Sequence, residues 1–263
     1  MRKILLQGAV ILALFLSVWF VFAQIDWVAI LKVEKITNKT EEKLGDLFWE
    51  IIKESDKEIT QPIIVNSVDA IVNTICTAND IDSDFIKVHI LENQQVNAFA
   101  LPNGHLVLYT GLLTNSDSPE ELSGVIAHEI AHIELKHVTK KLVKEVGLSA
   151  LISMATGNKG AVIIRETAGK LSSLAFDRSM EKEADIKAVD YLIKAKINPE
   201  PFADFLYKLS DLENQTTQHL NWLSTHPTSK NRAGYVINYS TDKKNVYQEV
   251  LTEQDWKELK DQL

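Results

Sequence analysis

The chain has a single cysteine, Cys76, in 263 residues. That excludes an internal disulfide framework and any zinc site built on thiolates. It leaves the compartment open, since a disulfide-free protein can live on either side of a membrane. Positive charge is also scarce: 28 Lys and Arg stand against 36 Asp and Glu, for a formal net charge of −8. No Lys/Arg stripe is present to neutralise phosphates, so nucleic acid is not an expected partner. Repeats, low-complexity tracts and linkers are missing from residues 36–263, which therefore read as one domain. With 45% hydrophobic residues, the chain has ample material for a core.

The N-terminus is built differently. Residues 1–3 supply Arg2 and Lys3, and residues 4–23 form an apolar run whose only clearly polar side chains are Gln7 and Ser17. A run of that length can cross a bilayer as a helix and exceeds the usual hydrophobic region of a signal peptide. Trp19, Phe20, Phe22 and Trp27 resemble an interfacial aromatic belt. The expectation is an uncleaved membrane anchor followed by a juxtamembrane stretch, 24–35, with the N-terminus cytoplasmic and the main domain outside the cytoplasmic membrane. Cleavage after Ala23, releasing a secreted or periplasmic protein, is the alternative.

The informative stretch is 118–146, which reads as one long helix. Ser118 suits its N-cap, Pro119 the first helical position, and Glu121 the return bond of a capping box. Lys140, Lys141 and Lys144 suit its C-terminal half. Within it lies His128-Glu129-Ile130-Ala131-His132. Histidines four apart project from one face of a helix and can reach one tetrahedral metal, the arrangement of the zincins. Glu129, about 100° round the helix, is placed to take a proton from a water. Chance supplies such a motif in on the order of one chain per hundred of this length, so a third ligand decides the matter.

The metzincin pattern would need glycine at 135 and histidine at 138, but Leu135 and Val138 stand there. His137, about 180° from His128 on an unbroken helix, is excluded as a ligand and suits a surface or second-layer place. A glutamate from a second helix, as in the gluzincins, remains. In Arg178-Ser179-Met180-Glu181-Lys182-Glu183-Ala184-Asp185, Glu181 and Asp185 share a face. Glu181 can bind metal while Asp185 bonds the far nitrogen of a ligand histidine; Glu183 points about 200° away.

Elsewhere, apolar spacing predicts helices over 41–57, 63–79, 179–196 and 201–212, one after Thr228 and one from about Thr252. Alternation predicts strands over 85–91, 96–101 and 104–110, the last two joined at Pro102-Asn103-Gly104, for a short antiparallel sheet. Residues 147–169 read as two short core helices or a hairpin over the cleft. The fold class is α+β and mostly helical.

These motifs together carry a resemblance. His128 to His132 followed by His137, then Arg178 to Asp185, then Ser224-Thr225-His226-Pro227 with Arg232 six beyond the histidine, resemble membrane-associated zinc metallopeptidases of the HtpX, CAAX prenyl protease and BepA-like type. Asn97 to Leu113, N-A-F-A-L-P-N-G-H-L-V-L-Y-T-G-L-L, looks like that family too. The resemblance implies a gluzincin domain with one zinc ion held by His128, His132 and Glu181, Glu129 as general base and Asp185 as support. It further implies that His226 sits on a loop near the metal, steadying the tetrahedral intermediate or occupying the open position as a switch, with Arg232 as an electrostatic helper. The strand around Asn97, Ala98, Phe99 and Ala100, or the one at 104–110, would border the cleft and pair with an extended substrate. Protein or peptide substrates and a role in quality control follow. Only one long apolar run and no helical-repeat segment are present, so prenyl substrates and partner docking do not carry over. Two other classes compete: a zinc-containing holdase or adaptor with latent or lost proteolysis, and a structural membrane protein in which the motif is incidental.

Overall fold

A computed structural model describes residues 38–157, 161–173, 175–212, 222, 225–226, 230–241, 243 and 246–263. From the apolar run it describes Gln7, Gly8, Leu12 and 14–17, all helical with exposed side chains. The expected anchor otherwise lies outside the described residues. Among those residues, no helix is long and apolar enough to cross a membrane.

Two helices, α1 (Asn38–Ile52) and α2 (Pro62–Ala78), precede a small sheet. Each buries one apolar stripe: Leu44, Phe48 and Ile52 from α1, and Ile64, Val68, Ile71 and Ile75 from α2. The sheet contains β1 (Lys87–Leu91), β2 (Ala98–Ala100) and β3 (His105–Tyr109), in spatial order β1-β3-β2. It is mixed, which corrects the antiparallel expectation. β2 and β3 form the expected antiparallel pair across the Pro102-Asn103-Gly104 turn, but β1 lies parallel to β3, with Lys87 opposite His105. The turn needs its glycine: Gly104 has φ +76°, and a Cβ there would stand 2.0 Å from the Phe85 carbonyl oxygen.

After a short helix α3 (Thr110–Asn115) comes α4 (Pro119–Glu134), buried almost throughout. Ser118 caps it as expected, its Oγ accepting the Glu121 N–H at 3.1 Å. The Glu121 carboxylate bonds the Asp117 N–H, one residue before the cap. The helix does not continue to residue 146. Lys136 adopts φ 54°, and α5 (His137–Val146) sets off in a new direction. Neither glycine nor proline marks this break, so the unbroken spacing concealed it.

Helices α6 (Leu148–Ala155) and α7 (Ala161–Leu171) follow, packed on α1, as the two-helix reading of 147–169 expects. Then α8 (Arg178–Lys194) lies along α4, and α9 (Glu200–Leu212) crosses it at Gly124. A Cβ on Gly124 would fall 2.3 Å from Phe202 Cβ, so glycine allows the close approach of these helices. Helix α10 (Lys230–Thr241) packs on α8 and α9, and α11 (Glu253–Asp261) packs on α2. The core runs continuously from α1 to α10 through α4, which touches β2 and α9 while its histidines face α8.

Candidate metal centre

His128 and His132 leave α4 on the same face, and Glu181 leaves the first turn of α8 toward them. His226 joins from the loop before α10. One donor atom from each of these four residues lies within 4.8 Å of every other, and all four side chains are buried. His128 Nε2 is 3.0 Å from His132 Nε2 and 3.2 Å from His226 Nδ1. Glu181 Oε1 is 3.4 Å from His132 Nε2 and 3.0 Å from His226 Nδ1. A tetrahedral ion bound at about 2.0–2.2 Å has ligand–ligand edges of about 3.3–3.6 Å. The donor set, three imidazoles and a carboxylate with no thiolate, therefore fits a zinc-type ion in size and chemistry. One wholly buried atom beside it, Glu129 Oε2, has no hydrogen-bond partner among the described residues.

Around this group stands a buried ionic frame. Asp185 Oδ1 lies 2.9 Å from His128 Nδ1. Arg232 grips Asp185 with two bonds, Nε to Oδ2 at 2.8 Å and Nη2 to Oδ1 at 2.7 Å. Its Nη1 reaches Glu181 Oε2 at 2.6 Å and the His226 carbonyl at 3.2 Å. Tyr235 donates a further hydrogen bond to Asp185. Burial alone would raise both carboxyls, but Arg232 and His128 outweigh it at Asp185, and His226, Arg232 and His132 outweigh it at Glu181. Both stay ionised well below the usual carboxylate range. Burial likewise opposes charge on His226, yet Glu181 and Glu129 hold its imidazole above the ordinary value. Burial pushes the Glu129 carboxyl up from its ordinary value.

The expected site residues thus fall into distinct positions. His128, His132, Glu181 and His226 converge, with Glu129 beside them, its Oε1 3.3 Å from His226 Nε2. Asp185 stands behind His128. Arg232, expected as a helper beside His226, has its guanidinium committed to two carboxylates and a carbonyl. Ala98, Phe99 and Ala100 form β2, the outer strand of the sheet beside α4, with Asn97 just before it, and all four are buried.

Sequence reasoning missed what covers the centre. Trp222 stacks on His226 with ring centroids 4.6 Å apart, and its indole N–H reaches Glu129 Oε1 at 3.4 Å. Its backbone N–H donates to the Val96 carbonyl at 3.1 Å, just before β2. Phe176 stacks on His132 at 4.1 Å. The only sequence signal for Trp222 was its place four residues before His226, which a helical turn brings together: His226 N–H donates to the Trp222 carbonyl at 2.8 Å.

Two helices presenting a histidine pair and a glutamate to one point define the gluzincin class of metal centre. Residues 65–237 match peptidase family M48, and the chain belongs to that family. Among curated proteins it is similar to the β-barrel assembly-enhancing protease of Yersinia pestis, 27% identical over 202 residues, covering 72% of this chain and 41% of that protein. The Escherichia coli K12 protein of the same name is 27% identical over 205 residues, 73% of this chain and 42% of its own. The mitochondrial metalloendopeptidase OMA1 of Bos taurus is 31% identical over 163 residues, 57% of this chain and 31% of its own. The chain thus spans about two-fifths or less of the length of these relatives.

Proposed function

We propose that this chain is a membrane-anchored, zinc-dependent metalloendopeptidase that hydrolyses peptide bonds in proteins under quality control, with residues 36–263 as its catalytic domain. The convergence of His128, His132, Glu181 and His226 beside the buried Glu129 carries the reading. Family membership and the names of the relatives support it. His128, His132 and Glu181 would hold one zinc ion, which supplies polarisation of a substrate carbonyl and acidification of a water. Glu129 accepts the proton of the attacking water and returns it to the leaving amine. Asp185 fixes the His128 ring, and Arg232 holds Asp185 and Glu181 in place rather than reaching into the cleft.

The conformation is a closed one. His226 fills the fourth corner of the donor set, and Trp222 occupies both Glu129 and the Val96 carbonyl, the groups a substrate needs. Activity requires the segment carrying Trp222 and His226 to swing out, after which an extended peptide pairs with the strand at Asn97 to Ala100. The same closure favours a second reading, a zinc-containing adaptor in which this segment never opens.

Casein cleavage and zinc content decide between them. Wild-type protein and His226→Ala should both carry about one zinc per chain and cleave casein, the variant faster, while Glu129→Gln keeps zinc and loses cleavage. Cleavage by Glu129→Gln would refute the mechanism, and zinc-loaded protein inert in every variant would favour the adaptor. The anchor at 4–23 and an extracytoplasmic domain predict digestion of the domain by protease added to intact spheroplasts. A domain shielded until the inner membrane is lysed would overturn that orientation.

A further inference from the structure

The two histidines of α4 are steadied by unlike partners. His128 Nδ1 rests against the buried Asp185 carboxylate. The equivalent nitrogen of His132 meets another ring: His137 Nδ1 stands 3.1 Å from His132 Nδ1. On its far side, His137 Nε2 lies 3.3 Å from Glu183 Oε2. His137 is 1% exposed and the Glu183 side chain 58% exposed, so the contacts run from the centre to the surface.

Two ring nitrogens facing each other at this distance share one proton, and its owner follows from the neighbours. His132 Nε2 belongs to the converging donor set and must offer a lone pair there, so the His132 proton sits on Nδ1 and donates to His137 Nδ1. The His137 proton is thereby placed on Nε2, where the Glu183 carboxylate accepts it. The reverse order would point a proton from His132 into the donor set. It would also press the lone pair of His137 Nε2 against a carboxylate.

We propose that His137 and Glu183 form a positioning relay that fixes the metal-binding tautomer and ring orientation of His132, an inference that rests on His132 being a metal ligand. The break in the α4–α5 path makes it possible. On a continuous helix His137 would face away from the ligand stripe, but the left-handed turn at Lys136 returns its ring beneath His132, centroids 5.0 Å apart. Phe176, stacked on His132, limits rotation of the ring. Glu183, unsuited as a ligand by its angle from Glu181, thus acts from the surface on a ligand it does not touch.

The test uses the full-length protein and four variants: His137→Leu, His137→Gln, Glu183→Ala and Glu183→Gln. Zn2+ affinity is measured by competition with a chromophoric chelator, and the ring nitrogens of His132 are followed by 15N NMR in metal-free protein. His137→Leu should weaken Zn2+ binding about 10- to 100-fold and turn the single Nδ1-protonated form of His132 into a tautomer mixture. Glu183→Ala should weaken binding by about tenfold or less without moving the thermal midpoint, because its carboxylate is at the surface. Glu183→Gln should fall between Glu183→Ala and wild type. His137→Gln, whose amide can accept from His132 and donate to Glu183, should recover most of the loss, which a merely space-filling role would not predict. Wild-type affinity and an unchanged His132 tautomer in His137→Leu and Glu183→Ala would overturn the relay. If His137→Leu fails to fold, Glu183→Ala alone decides by the same two readouts. Wild-type protein that binds no Zn2+ would overturn the ligand assignment and the relay with it.

Discussion

Arg232 shows how much of this centre depends on one side chain. It is 4% exposed and is the counter-charge for two carboxylates, Asp185 and Glu181, themselves only 0% and 2% exposed. Removing one member of a buried ionic group leaves the others uncompensated, at a cost of about 3–5 kcal/mol. Arg232→Met should therefore lower stability in urea by about that amount. Arg232→Lys should recover little, since an ammonium cannot reproduce the two-pronged grip on Asp185. At this scale the sequence was legible where spacing encodes geometry: four-residue steps placed His128 with His132 and Glu181 with Asp185. Phe176 was not legible, because nothing in its neighbours in the chain distinguishes an aromatic that covers a metal centre from one that fills a core, and Trp222 offered only its four-residue spacing from His226. The partnership of His137 with His132 was hidden for another reason, the helix break between them.

Among the elements, α4 is the common wall of sheet, α8 and α9, and Gly124 sets how near α9 can come. Gly124→Val would drive its side chain into Phe202, so the expected result is a loss of about 1–3 kcal/mol with a lowered thermal midpoint. Glu129→Gln, one turn and a half further on, should leave that midpoint nearly unchanged. Most helices were readable from apolar spacing, α3 not among them, and the β2–β3 hairpin from Pro102-Asn103-Gly104. The parallel pairing of β1 with β3 was not, since its partners are eighteen residues apart in register and no turn residue announces a non-local pairing. The end of α4 was missed because a lysine, rather than a glycine, takes the left-handed position.

For the whole molecule, the docking of α1 on the sheet carries a pH dependence. Trp49 of α1 stacks on His89 with centroids 3.6 Å apart, and His89 Nε2 meets His105 Nδ1 at 2.9 Å. Glu58 and Asp46 stand at the outer nitrogens, and Lys87 beside His105. Burial, with the added charge of Lys87, outweighs the carboxylates and pushes His105 down to about 4, and His89 in the same direction. A histidine whose pKa is lower folded than unfolded binds more protons in the unfolded chain between those two values. Stability is thus fully present above about 6.5 and is lost as pH falls toward 4, by about 3 kcal/mol from His105 alone. Urea midpoints measured from pH 7 to 4 should show this slope, and His105→Gln should flatten it.

Closure over the metal centre also has an optical consequence. Among the described tryptophans, Trp222 stacks on the His226 ring and has the Arg232 guanidinium 5.4 Å from its own ring. A cationic neighbour quenches indole emission, and complete burial keeps that emission blue. Release of this segment therefore brightens and reddens the fluorescence of one residue, so the closed and open populations can be counted in solution without substrate.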